Sequence, residues 1–207
     1  MPRLLAVSKT QTATAVATLA AAGQRAFGEN YVQEAQAKIR ALADTLELRQ
    51  LEWHLIGHLQ SNKAEVAADI FDWVQSVDRL KLVAALARFR PADRPPLNVL
   101  VQVNIDDEAS KHGCPPGLVP ELAAAIAQEP RLALRGLMAI PTPHADIESR
   151  RPAYRDMAGL FDALAARHPS VDTLSMGMSD DFPLAIAEGA TMVRIGTALF
   201  GPRVANP

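Results

Sequence analysis

The feature that most constrains the fold of this chain is an alternation. Short apolar runs recur eight times: Leu4 to Val7, Arg25 to Phe27, Trp53 to Ile56, Phe71 to Gln75, Asn98 to Ile105, Leu132 to Ala139, Thr173 to Ser175 and Thr191 to Ile195. Between them lie stretches with apolar residues at helical spacing: Thr12 to Ala22, Tyr31 to Leu42, Leu80 to Phe89, Leu118 to Gln128, Tyr154 to Ala166 and Pro183 to Glu188. Strands that alternate with helices imply parallel pairing and right-handed crossovers. Eight such units favour a closed (β/α)8 barrel over an open doubly wound sheet. The densest cluster of breakers, Pro91-Ala92-Asp93-Arg94-Pro95-Pro96, is short enough to be a loop. We therefore expect residues 1–207 to form one barrel domain.

Composition excludes several classes. With 21 Lys+Arg against 23 Asp+Glu, the chain has no electrostatic footprint for nucleic acid. Its one cysteine, Cys114, cannot form an internal disulfide, which fits a reducing compartment. No apolar run approaches the roughly eighteen residues of a membrane span, and the N-terminal run is too short for a signal peptide. The expectation is a cytoplasmic protein with no nucleic-acid or membrane partner.

Barrel proteins place their sites at the C-terminal ends of the strands. Lys9 follows the first run, Gly28-Glu29-Asn30 the second and Gly57 to Lys63 the third. Met176-Gly177-Met178-Ser179-Asp180 follows the seventh, and Gly196-Thr197 the eighth. The loops after strands seven and eight form the usual phosphate site of this architecture. Ser179-Asp180 stands before a helix-like stretch and can cap it, where unpaired N–H groups favour an anion. Gly196 permits close backbone approach, and Thr197 adds an N–H and a hydroxyl. Spacing does not choose between this cradle and a plain N-cap with a turn. Arg194 lies within the last run, with Val193 and Ile195 on the opposite face. Pointing inward, it needs an acceptor, either a ligand atom or a buried carboxylate.

Other signals are weaker. His54 and His58 have a metal-ligand spacing if helical, but Gly57 lies between them in a strand-then-loop segment. The Asp106-Asp107-Glu108 run reads as a solvated loop, and Cys114 as structural. Gly177 and Gly196 make neither a dinucleotide fingerprint nor a Walker loop.

Five segments together resemble one known family. They are Leu5-Ala6-Val7-Ser8-Lys9-Thr10, Phe27 to Glu34, His54 to Lys63, Leu174 to Ser179 and Val193 to Gly201. In order and in register, they resemble the pyridoxal phosphate homeostasis proteins, whose barrel is of the alanine-racemase type. The resemblance implies that Lys9 forms an internal aldimine with pyridoxal 5′-phosphate and that Arg194 faces the pyridine nitrogen. It implies that Ser175, Ser179, Gly196 and Thr197 hold the phosphate, that Met176 helps through its backbone and that Asn30 lies beside the ring. An apolar barrel mouth would lower the amine's pKa and favour reaction with an aldehyde. A permanent cation at the ring nitrogen would keep that nitrogen unprotonated, which suits holding the cofactor better than deep carbanion chemistry. Members of the family carry a helix before the lysine strand. Here the strand begins almost at Met1, so either the start is placed too late or the chain is a short form; the expectation is that this sequence lacks that helix and leaves one face of the outer ring less covered.

Three functions follow. The first is a non-catalytic protein that holds pyridoxal phosphate and passes it to apo-enzymes. The second is an amino-acid racemase or decarboxylase on the same barrel. Such enzymes add a β-rich domain, for which this chain has no residues, and a racemase also needs a second base, whereas Tyr31 and Tyr154 are the only tyrosines. The third is a cofactor-free enzyme acting on a sugar phosphate, with Lys9 as an electrostatic or imine-forming residue. The first is expected, together with a monomeric state.

Overall fold

The computed structural model describes residues 1–44, 48–108 and 111–201. Eight parallel strands close into a barrel in chain order: β1 (Arg3–Val7), β2 (Ala26–Glu29), β3 (Glu52–Leu55), β4 (Trp73–Val77), β5 (Leu97–Val103), β6 (Leu132–Ala139), β7 (Thr173–Met178) and β8 (Met192–Ile195). Closure is made by β8 against β1, with Leu5 opposite Arg194 and Ala6 opposite Ile195. Helices α1 (Ala13–Ala21), α2 (Val32–Leu42), α3 (Ala64–Ile70) and α4 (Leu80–Phe89) follow the first four strands. Helices α5 (Val119–Ala127), α6 (Arg151–Ala165), α7 (Phe182–Ala187) and α8 (Thr197–Phe200) follow the last four.

Local chemistry sets these elements. Thr12 caps α1 by accepting the Ala15 N–H at 3.1 Å, and Gly23 leaves the helix with φ +100°. The period of two along each strand sorts side chains into two cores. On β8, Val193 and Ile195 join the outer core between barrel and helices, which includes Val16, Ala35, Leu82, Ile126 and Met157. Met192 packs on the other side with Leu5, Ala26 and Ile56, while Trp73, Leu100 and Met138 form a further cluster. The barrel interior is therefore filled by side chains, as in other barrels of eight strands.

The structure departs from the sequence expectations in four places. Helices α3 and α8 are not among the expected stretches, because each is short and is entered from a segment that reads as a loop. Strand β7 runs past Ser175 to Met178, so Met176 belongs to the strand and not to the loop after it. Gly177, at φ +87°, lies where the β7–β8 register shifts between Ser175 and Met178; it marks an irregularity inside the strand, not its end. Asp181, not Ser179-Asp180, stands immediately before α7, and it makes no side-chain cap. Its carboxylate turns back to accept the Met178 N–H at 2.7 Å and the Arg150 guanidinium at 2.5 Å.

Candidate functional site

A cavity of about 740 Å³ opens at the C-terminal mouth of the barrel. Six of the residues singled out from the sequence line it: Lys9, Asn30, Ser179, Arg194, Gly196 and Thr197. They come from the ends of β7, β8, β1 and β2, which are consecutive neighbours in the closed sheet. Ser175 and Met176 do not line it. The Met176 side chain is wholly buried in the outer core, on the helix side of β7. Ser175 is wholly buried, with its hydroxyl already committed to two partners described below.

Arg194 is almost completely buried, at 3% exposure. Its acceptors are not carboxylates. Nη1 donates to the carbonyl and hydroxyl oxygens of Ser175, each at 2.8 Å, and Nη2 donates to the Ala139 carbonyl at 2.8 Å. Among the described residues, Nε has no hydrogen-bond partner. Burial pushes the pKa down to about 10, which still leaves a cation at neutral pH. Three neutral oxygens fix the guanidinium without cancelling its charge.

A line of hydrogen bonds continues from Arg194 through the barrel. The Ser175 hydroxyl donates to Gln75 Oε1 at 2.7 Å, and Gln75 Nε2 stands 2.9 Å from His54 Nδ1. His54 Nε2 lies 2.7 Å from Glu52 Oε1, which also accepts from Arg3 at 2.5 Å. The amide donor of Gln75 makes His54 Nδ1 the acceptor, so the His54 proton sits on Nε2 and points at Glu52. Burial lowers the His54 pKa and keeps the ring neutral, stacked on Trp73 at 5.1 Å. Burial also opposes the Glu52 carboxylate, but the bonds from His54 and Arg3 outweigh it and hold its pKa at about 2. His54 is therefore an interior hydrogen-bonding residue. It does not converge with His58, which lies exposed on the cavity rim.

Lys9 is presented by a tight turn. The Ser8 carbonyl accepts the Gln11 N–H at 3.0 Å, and Thr10 takes φ +64°, a rare conformation for a β-branched residue. A buried ionic cluster holds that turn from behind. Lys38 Nζ donates to the Ser8 carbonyl at 2.6 Å, to Glu29 at 2.8 Å and to Glu34 at 2.7 Å. Glu29 accepts the Ser8 hydroxyl at 2.5 Å, and Glu34 accepts the Thr10 N–H at 2.5 Å. The residues on both sides of Lys9 are thus fixed by α2 and β2. On the next strand end, a Cβ on Gly57 would lie 2.2 Å from the Asn30 carbonyl oxygen. Only glycine lets the β3 loop pack against Asn30.

Sequence reasoning missed Gln75, Lys38, Glu29 and Glu34. Each is an ordinary polar residue in a strand or helix, and only tertiary contact gives it a role. The remaining signals resolve simply. Cys114 is buried, and burial pushes its thiol up to about 11. Asp106 and Glu108 are paired with Lys111 at 3.6 and 3.0 Å. Tyr154 is 1% exposed, and Tyr31, 62% exposed, lines a neighbouring recess.

The chemistry of this set fits pyridoxal phosphate. It combines a primary amine, a buried cation held by neutral oxygens, and two hydroxyls beside a glycine at the C-terminal ends of β7 and β8, the usual phosphate end of such a barrel. Residues 1–204 match the family described as alanine racemase, N-terminal domain. The pyridoxal phosphate homeostasis protein of Escherichia coli K12 is 56% identical over 97% of this chain and 85% of its own length. Among solved structures, PipY of Synechococcus elongatus without pyridoxal phosphate is 39% identical, with a TM-score of 0.89 over 97% of this chain and 93% of its own. The same protein with pyridoxal phosphate bound gives a TM-score of 0.84 over 97% of this chain and 92% of its own. On fold, sequence and cavity together, the chain belongs to the pyridoxal phosphate homeostasis protein family, built on the alanine racemase N-terminal domain.

Proposed function

We propose that residues 1–207 act as one barrel domain that holds pyridoxal 5′-phosphate through a reversible covalent bond at Lys9. On this reading the protein passes the cofactor to apo-enzymes in the cytoplasm and does not itself catalyse turnover. The observation that carries it is the convergence on one cavity of the Lys9 side chain, the buried Arg194 cation and the ends of β7 and β8. Bound there, pyridoxal phosphate supplies an aldehyde carbon that bonds reversibly to a primary amine.

The chain's own residues divide the work. Lys9 supplies the amine, from a turn clamped on both sides. Arg194 would face the ring nitrogen, where its charge would oppose protonation. Asn30 flanks the ring, held by its contact with Gly57. Ser179, Gly196 and Thr197 take the phosphate. Ser175 acts through Arg194, since its hydroxyl is already engaged; any contribution from Met176 is through its backbone. A monomer that needs neither nucleic acid nor membrane completes the proposal. No helix among the described residues is long and apolar enough to cross a membrane.

The test is to add pyridoxal phosphate, record the yellow absorbance band, reduce with borohydride and map the labelled peptide. The label is expected on Lys9, and Lys9→Ala is expected to lose the band while keeping weak, phosphate-held binding. A label on another lysine, or none, overturns the proposal. Sustained racemisation or decarboxylation of single-enantiomer amino acids by the loaded protein would replace the non-catalytic reading with the enzymatic one.

A further inference from the structure

Three side chains outside the Lys9–Arg194 pair meet beside the same cavity, whose rim His58 and His112 line. His58 lies in the loop after β3, Asp78 just after β4 and His112 in the loop after β5, so three consecutive strand ends contribute. The imidazoles of His58 and His112 stack at 3.8 Å between centroids, with 17° between their planes. Asp78 Oδ2 stands 3.9 Å from His58 Nδ1, too far for a hydrogen bond. The ligand atoms of the three residues all lie within 4.8 Å of one another. A tetrahedral ion with bonds of about 2.1 Å asks for separations of roughly 3.4 Å. Both rings are exposed and can turn to close that difference.

We propose that His58, Asp78 and His112 form a site for a borderline divalent transition-metal ion such as Zn²⁺. Two imidazoles and one carboxylate select that class over Mg²⁺ or Ca²⁺, which prefer all-oxygen sets. Three protein ligands leave a fourth position open, and both histidines line the cavity, so that position faces it.

Neighbouring side chains fix one oxygen of the carboxylate and the backbone that carries the two rings. Arg79 Nη1 holds Asp78 Oδ1 at 2.5 Å, which leaves Oδ2 for an ion, and Arg79 Nη2 ties down the Leu59 carbonyl at 2.9 Å beside His58. Gln102 Nε2 donates to the His112 carbonyl at 3.2 Å. An ion there would bring positive charge to the rim that also carries Lys9 and Lys111, and would offer its open position to an anionic oxygen in the cavity.

The experiment titrates Zn²⁺ alone into chelator-stripped protein against a competing metal dye, so it does not depend on the Lys9 reading. One equivalent should bind. His58→Ala, His112→Ala and Asp78→Asn should each weaken binding by at least about tenfold, while His144→Ala and Cys114→Ser should not. Circular dichroism checks that the variants fold, and His58→Gln repeats the test with side-chain volume retained. Co²⁺ substitution should give the intense visible bands of a four-coordinate site. Failure to retain Zn²⁺, or an affinity unchanged in His58→Gln and His112→Ala, overturns the proposal.

Discussion

Replacing Gln75 by leucine tests whether the polar line through the barrel is one connected unit. Gln75 is wholly buried and bridges two partners, taking the Ser175 hydroxyl on Oε1 and donating Nε2 to His54 Nδ1. Leucine keeps most of the volume and removes both bonds. The Ser175 hydroxyl then loses its acceptor, and His54 Nδ1 its donor, in a region closed to water. Each stranded group costs about 1–3 kcal/mol, so, with some return from the added apolar surface, the loss is about 2–4 kcal/mol. For a chain of this size that corresponds to a fall of about 5–15 °C in Tm. Calorimetry or urea unfolding measures it. Arg194 keeps the Ser175 and Ala139 carbonyls at 2.8 Å, so the guanidinium should stay in place. The absorbance maximum of the bound cofactor should therefore move little while stability falls. Ser175→Ala combined with Gln75→Leu should cost less than the sum of the single changes, because each breaks the same link. A Gln75→Leu protein that melts within about 2 °C of the parent would refute the reasoning, since the two stranded groups must then have found other partners.

Lys38→Met leaves the buried Glu29 charge without its cation, so a loss of about 3–5 kcal/mol in chemical denaturation is expected, together with slower labelling at Lys9. Gly57→Ala drives a Cβ to 2.2 Å from the Asn30 carbonyl. Because the obstacle is backbone, cofactor affinity measured by absorbance titration should drop even where the fold survives. Acid should destabilise the protein in two steps. Burial lowers the His54 pKa below its ordinary 6.5, so the unfolded chain takes up a proton that the folded one refuses, and stability falls as the pH drops below about 6.5. Glu52, held at about 2 against an ordinary 4.5, adds stability that is full above about 4.5 and lost as the pH falls towards 2. A Glu52→Gln variant should show a flatter lower limb in the pH dependence of urea midpoints, and an unchanged limb would remove Glu52 from the account.

The alternation of apolar runs and helical stretches located all eight strands, since each strand buries one face under helices and the other in the barrel. Arg194 could be placed inside because a period of two is a local property. The site was less legible. Lys9 could be found, but not the turn that presents it, because that turn depends on Glu34 and Lys38, one helical turn apart on α2 and far from Lys9 in sequence. Met176 read as the start of the loop after strand seven because Gly177 looks like a break; only pairing with β8 shows that the strand continues. Gly57 already argues in the sequence against His54 as half of a metal pair, but only its contacts with Gln75, Glu52 and Trp73 show what it does instead. Residues whose partners lie on other strands carry no mark of it in their own segment.

The pairing of β1 with β8 also has a consequence in time. Lys9 sits just beyond the first strand, while Arg194 is in the last, opposite Leu5. During synthesis β1 can pair with β2 early, but its other edge stays open until Met192–Ile195 have left the ribosome. No nascent chain that lacks those residues can have both poles of the pocket. The joining contact spans nearly the whole chain, which makes it the entropically expensive last step of assembly. Cofactor capture therefore reports on completion: a chain that binds tightly has already closed its barrel. Any lesion that delays the docking of β8, wherever it lies, would show first as lost binding.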